Sequence, residues 1–399
     1  MIFCPLWAGL VALVGDASAQ GLTAEQAARS ALARDPVYLS AVAATEEAEG
    51  LLRATSFLTS NPTVSTAMSL GTPRWSASVE QPVSLFGEGM ARRAGAKAAV
   101  TSAALDRQRV ALVVAAAARG AWADVAAAEA RRRLSEDALA QAHDRRLALE
   151  ARFAAGDASA LDARLARLAE AEAALALMEH QRAVSDARVA LSRFLPDAAT
   201  APILGAPEEA VPPVRGGGSR TDVEAAAARV AGAEADLRAA RAAILPAVGL
   251  GAAIEREGDN TFVGPTLEVT LPLWKANPDG RAAARAALHV AQASSDAVAR
   301  VAEAERATTQ DAVSRSTKAR DALAGEPAAD AKAALADIDL AEAKGELDAA
   351  TATLLRQQVL DGAMAAISFA QAVVHAELDA LLAVSDPSLL PLESQEVSP

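Results

Sequence analysis

The sequence predicts a mainly α-helical chain with short β-hairpins: an internally duplicated coiled coil of long helices, with four membrane-length strands. Three observations carry this. Alanine is about a quarter of the 399 residues while aromatics are only 3%, so a thick globular core is hard to fill but close helix packing is easy. A helical pattern runs without proline from Gly89 to about Arg152. The same order of elements is written twice along the chain.

Taking the elements in order, Met1 to Val14 is an apolar run too short to span a bilayer as a helix. It ends in Ala17-Ser18-Ala19, the small-residue cleavage signature of a secretory signal, so residues 1–19 read as a signal peptide. A basic segment before the apolar run is missing. The sole cysteine, Cys4, lies inside it, so the chain cut after Ala19 would hold together without disulfides. No other stretch reads as long and apolar enough for a transmembrane helix. The net charge of -13 argues against nucleic acid, which favours a basic surface.

The first copy covers residues 20–206 and the second 220–385, with the Pro- and Gly-rich 207–219 as linker and 386–399 as tail. Asp35-Pro36 leads into an Ala/Glu helix and then Asn61-Pro62-Thr63-Val64; Thr221-Asp222-Val223 leads into a similar helix and then Leu245-Pro246-Ala247-Val248. Ser78 to Ala99 matches Glu268 to Ala287, with Pro82 aligned to Pro272, and Arg152 to Ala163 has a looser partner in Gln358 to Ala370. Thr23-Ala24-Glu25-Gln26 and Thr221-Asp222-Val223-Glu224 both fit a capping box. Gly89 to Arg152, diluted only by Gly95 and Gly120, is about 60 residues, on the order of 90 Å as a helix. Such a helix needs long neighbours to bury its apolar face.

The strands are the more telling element. Thr63 to Leu70 and Trp75 to Gln81 flank Gly71-Thr72-Pro73; Ala247 to Ile254 and Phe262 to Leu271 flank the polar loop Glu255 to Asn260. Val64, Met68 and Leu70 share one face opposite Ser65 and Ser69, while Leu267, Val269 and Leu271 oppose Thr266, Glu268 and Thr270. Strands of about 8 to 10 residues match a membrane β-strand with one lipid-facing and one lumen-facing side. Four strands cannot close a barrel alone, so closure requires several copies. Trp75, Trp274, Phe86 and Phe262 fall near strand ends, where interfacial aromatics are expected.

The doubled layout, the Leu22 to Pro36 opening, the strand-Pro-apolar-Gly-helix segments and the Gly breaks resemble the TolC-type outer-membrane efflux proteins across nearly the whole mature chain. That resemblance implies three protomers, each giving four strands to a twelve-stranded barrel, above a hollow α-helical cylinder through the periplasm. It implies a homotrimer in the outer membrane of a Gram-negative bacterium, joined to an inner-membrane pump through a periplasmic adaptor. It places adaptor-contacting helix-helix turns around Phe153 and Gly156 and around Val359 and Gly362, lipid contact at Leu267, Val269 and Leu271, and barrel-cylinder junctions at Pro82, Gly89, Pro272 and Gly280. The segment from Gly280 to Gly362 exceeds Gly89 to Gly156 by about 15 residues on one helical template. The surplus includes the helix-breaking Gly325-Glu326-Pro327, a candidate for extra structure around the cylinder. The cleavage site has no lipidation cysteine.

His143, His180, His289 and His375 are scattered, without the clustering a metal site needs. Ser159 reads as a helix cap rather than a nucleophile, and Gly216-Gly217-Gly218-Ser219 lacks the Lys of a phosphate loop. Most acidic residues read as solvated helix faces, although Asp348 and Asp361 suit a lumen near the tip. No enzyme, cofactor or metal site is legible. The function read from this pattern is a passive exit duct for a partner pump. The second reading is a soluble periplasmic coiled-coil adaptor or spacer; an adaptor should carry one helical hairpin inside a β-rich domain, whereas this chain has two copies and no such half.

Overall fold

The computed structural model describes residues 22–55, 61–69, 74–83, 87–196, 201–203, 205–214, 219–245, 247–270, 277–322 and 327–391. The signal segment, Leu70, Phe86, Leu271, Pro272, Trp274 and Gly325 lie outside them. In order the elements are α1 (Ala24–Arg34), α2 (Pro36–Ala54), β1 (Thr63–Ser69), β2 (Arg74–Val83), α3 (Glu88–Ala155) and α4 (Ala160–Ser192), then α5 (Thr221–Ala242), β3 (Ala247–Glu257), β4 (Asn260–Thr270), α6 (Pro278–Ala322), α7 (Pro327–Ala343) and α8 (Ala349–Ala383). The two series repeat the same plan, apart from α1 and the break between α6 and α7.

The chain forms two compact units, and each draws on both copies. One consists of Pro36–Val110 and Gly218–Glu305; the other consists of Met1–Asp35, Ala111–Gly217 and Arg306–Pro399. In the first, helices approach closely where side chains are small. A Cβ on Gly95 would stand 3.0 Å from the Asp236 carboxylate of α5, and one on Gly232 3.6 Å from the Ala98 Cβ of α3. Thr45 is buried and returns its hydroxyl to Ala41 O at 2.9 Å, satisfying it inside its own helix. Arg220 at the head of α5 binds Asp222 at 2.8 Å and Glu305 of α6 at 2.5 Å.

The expected capping box at Thr221 does not form. Arg220 takes the cap position without a side-chain cap bond, and Thr221 is the first helical residue, buried. Burial against the neighbouring helices outcompetes exposure at the cap. At Thr23 the box forms as expected: the hydroxyl accepts the Gln26 N–H at 3.2 Å, and the Gln26 side chain accepts the Thr23 N–H at 3.0 Å.

The second unit holds the main apolar core: Ala24 and Ala27 of α1, Leu112, Trp122 and Val125 of α3, Leu191, and Val374, Leu378 and Leu381 of α8. Trp122 is fully buried and donates its indole N–H to Leu22 O at 2.8 Å, so the largest core residue leaves no unmet polar atom. Leu22 also pairs with Ile203 in a parallel bridge. Residues 207–210, read from sequence as the start of a linker, form a short 3-10 turn with Pro207 and Ala210 buried. The start of the expected tail is likewise packed, with Leu389 fully buried. Arg119 secures both segments, donating to Leu389 O at 3.1 Å and Ala210 O at 3.3 Å.

Contrary to the expectation from sequence, two helices among the described residues are long and apolar enough to cross a bilayer. By length and composition α3 and residues 351–383 of α8 both qualify, with mean hydropathy 1.5 and 1.4 over their most apolar windows. The α3 window is 72% buried within the protein, as a core helix would be, but the α8 window is only 17% buried.

Candidate functional site

The four strands form one antiparallel sheet in the order β1-β2-β3-β4. Register aligns Val64 with Val79, Val79 with Ala252 and Ala252 with Pro265; one step along, Leu250 faces Leu267 and Val248 faces Val269. Because side chains alternate, Val64, Met68, Val79, Leu250, Val263, Leu267 and Val269 share one side of the sheet. They are exposed, Met68 at 79% and Leu267 at 66%. The opposite side carries Ser65, Ser78, Glu80, Arg74, Glu255, Thr266 and Glu268, with the Ser65 and Ser78 hydroxyls 2.7 Å apart and Arg74 paired with Glu255. Glycine makes room on this polar side. A Cβ on Gly249 would overlap the Glu80 carboxylate, and one on Gly251 the Val79 carbonyl.

The expected apolar-polar division therefore holds for Val64, Met68, Leu267 and Val269, and the sheet joins the two expected pairs through β2 and β3. The second hairpin differs from expectation. Instead of a loop over Glu255 to Asn260, the strands continue to a Glu257–Asn260 pair, and only Gly258 and Asp259 turn. Gly258 has φ +59° at the first central position, where two-residue turns accept glycine. The polar residues there are the outer ladder of the sheet. Trp75 sits at the turn end on the apolar side, but Phe262 is on the polar side, opposite Glu255.

The strand-to-helix junctions are closed by left-handed residues just before each helix. Gly87, with φ +83°, and Asn277, with φ +47°, immediately precede α3 and α6. The Gly87 carbonyl accepts the Ala91 N–H at 2.9 Å, and the Asn277 carbonyl accepts the Arg281 N–H at 3.1 Å. The expected junction glycines are already helical: Gly89 is the second residue of α3, and Gly280, the third of α6, lies under the Asn277 side chain. Pro82 is the penultimate residue of β2, opposite Gly249.

At the far end of the helices the first turn lies where expected and the second does not. Phe153 ends α3, exposed; its carbonyl accepts the Gly156 N–H at 3.0 Å, and the Arg152 carbonyl accepts the Asp157 N–H at 2.9 Å. Gly156 has φ +83° and Ser159 caps α4, accepting the Asp162 N–H at 3.1 Å. The same motif recurs at Gly345, not at Gly362. Glu342 O accepts the Gly345 N–H at 3.0 Å, Ala341 O accepts the Glu346 N–H at 2.9 Å, Gly345 has φ +74°, and Asp348 caps α8. Both are the crossed pair of bonds that closes a helix on a left-handed residue.

Val359 and Gly362 lie inside α8, where Val359 packs with Leu360 and Met364 on Leu134, Ala331 and Ala363. Gly362 suggested a turn through its loose match to the Gly156 segment, but here the helix runs through it. The shared spacing of Gly and capping residue, Gly156-x-x-Ser159 and Gly345-x-x-Asp348, was the available signal. Moving the turn also removes the apparent surplus. From Pro278 to Ala343, α6 and α7 together nearly match the 68 residues of α3, and α8 with 35 nearly matches α4 with 33.

Polar bonds tie α3 to α7 and α8 within the second unit. Arg145 reaches Glu342 at 3.2 Å, and Arg356 reaches the same Glu342 at 2.6 Å and also pairs with Asp339. Arg131 donates to Gln371 at 2.5 Å, and Gln371 and His375 both meet the Asp124 carboxylate, at 2.6 and 2.7 Å. Among the described residues no three His, Cys, Asp or Glu stand together as metal ligands.

No family profile matches the sequence, and no curated protein matches it. Solved structures do match over nearly the full length. The Campylobacter jejuni CmeC outer membrane channel superposes with a TM-score of 0.72 at 14% identity, over 92% of this chain and 89% of that one. A membrane protein from Pseudomonas aeruginosa gives 0.71 at 19%, over 90% and 93%, and the Vibrio cholerae outer membrane protein VceC gives 0.69 at 18%, over 91% and 96%. The fold is thus shared with the outer membrane channel CmeC and the outer membrane protein VceC. Two strand-helix-hairpin copies around one sheet are the arrangement expected from the resemblance to TolC-type proteins.

Proposed function

We propose that the chain is an outer-membrane exit duct of a tripartite efflux system, passively conducting substrates delivered by a partner pump. The observation that carries this is the two-sided sheet: one side apolar and exposed, the other polar, with β1 and β4 as edges. A lone sheet of this kind is unstable in water and cannot sit in lipid with open edges, so it calls for further copies that close a barrel. Three copies would supply twelve strands, with Leu267 and Val269 towards lipid and Glu80 and Glu268 towards the lumen. An adaptor would meet the turns at Gly156 and Gly345, where bare backbone permits close approach.

Expression with outer-membrane fractionation and mass determination in detergent tests this reading. Recovery from the outer membrane as a trimer is expected; a soluble monomer would overturn it and favour the adaptor or spacer reading. Leu267→Arg should cost about 2 to 4 kcal/mol at mid-bilayer and impair assembly, while Thr270→Arg, on the polar side, should be tolerated.

A further inference from the structure

We propose that His375 and Asp124 form an acid-tightened clasp that holds the last helix of the second copy against the long helix of the first, and that loosens as the surroundings become alkaline. The clasp stands on α3–α8 geometry inside one compact unit and does not depend on the exit-duct reading.

The geometry is specific. His375 Nε2 lies 2.7 Å from Asp124 Oδ1, and the Gln371 amide donates to the same oxygen at 2.6 Å. Gly120, one turn before Asp124, leaves the space that the ring fills: a Cβ there would stand 3.1 Å from His375 Cε1 and 3.3 Å from Nδ1. Gln371 is held in turn by Arg131 at 2.5 Å, and Ser368 accepts from the same Arg131 nitrogen at 3.2 Å. The carboxylate thus meets two α8 side chains at once. With the ring neutral it donates one hydrogen bond to the ionised carboxylate; protonation adds a full charge opposite it.

The surrounding charges act in the same direction. The Asp124 hydrogen bond raises the His375 pKa, burial opposes it, and the charges of Asp124 and of Asp379 on α8 raise it further, leaving it above the ordinary 6.5. Burial pushes Asp124 up, but the bonds from His375 and Gln371 and the charges of His375 and Arg131 outweigh it and hold the carboxyl below its usual 3.8. Two other segments pack on α8, Pro207–Ala210 and Pro387–Leu389. The first carries Glu208 and Glu209, the latter accepting the Ala206 N–H at 3.2 Å, and Asp386, capping the second, accepts the Ser388 N–H at 2.8 Å. Glu342 and Asp339 of α7 are engaged by Arg145 and Arg356. Because the folded value is raised, the clasp's contribution is complete below about pH 6.5 and fades as pH climbs through the folded value. The remaining α3–α8 bonds rest on arginine, which stays charged throughout.

The test is a double-mutant cycle of His375→Gln and Asp124→Asn in the full-length protein, read as thermal midpoints at about pH 5.5 and about pH 8.5. A coupling is expected at the lower pH, worth about 2 °C or more in midpoint, and a clearly smaller one at the higher. An equal coupling at both values, or none at either, overturns the proposal. Histidine NMR titration provides a second readout on the intact fold. The His375 midpoint should lie above that of an ordinary histidine and fall in Asp124→Asn; a midpoint that does not move with Asp124 overturns the clasp. Misassembly of Leu267→Arg would bear on the duct alone and leave this titration unchanged.

Discussion

At Gly345 and Gly362 the same substitution has opposite expected effects. Gly345 holds φ +74° with open space around it, so Gly345→Ala meets no clash and pays only in backbone strain, about 1 kcal/mol. Gly362 is helical with equal room, so Gly362→Ala should stabilise by up to about 1 kcal/mol. Thermal unfolding followed by circular dichroism distinguishes them; destabilisation by Gly362→Ala would return the turn to that position. Arg119→Met is a harsher change, because it leaves the buried carbonyls of Ala210 and Leu389 without their guanidinium donors. It should cost about 1 to 3 kcal/mol in denaturant titration.

At the scale of elements, the long helices are defined by their ends more than by their interiors. The α4 and α8 starts rest on Ser159 and Asp348, each accepting a backbone N–H three residues on. Ser159→Ala and Asp348→Ala should each lower stability by about 1 kcal/mol, with increased amide exchange confined to the adjoining turn. Exchange spreading along the whole helix would show that the caps hold more than their own turn. Much of this was legible in sequence. The Thr23 capping box, the length of α3, the alternation of Val64, Met68, Leu267 and Val269, and the Gly156 turn all follow from local chemistry. What escaped was of another kind. Thr221 has the chemistry of a cap but is drawn into a helix packing surface, and Gly362 has the chemistry of a break but lies in a helix supported by its neighbours on both sides.

At the scale of the whole molecule, carboxylates paired with arginine or histidine recur in both compact units. Glu129 is pushed up by burial but held lower by Arg188 and Arg132, and Asp222 is pushed up by burial but held lower by Arg220 and Arg109. Both end below their ordinary values, so their contribution is present above about pH 4 to 4.5 and is lost as pH falls further through the folded values. Thermal midpoints should therefore drop between about pH 4 and about pH 3, with a shallower drop in Glu129→Gln. An identical drop in that variant would locate the acid sensitivity elsewhere.

The sequence by itself determined the duplicated order of elements, the length of α3 and which side of β1 and β4 is apolar. All of these rest on near-neighbour chemistry: periodicity, capping and turn residues. Only the tertiary structure decided that the two hairpins form one sheet through β2 and β3, that the second helical turn is at Gly345, and that His375 meets Asp124 over Gly120. Those are contacts between residues far apart in the chain, where packing of whole helices and strands outweighs the local preference of any one residue.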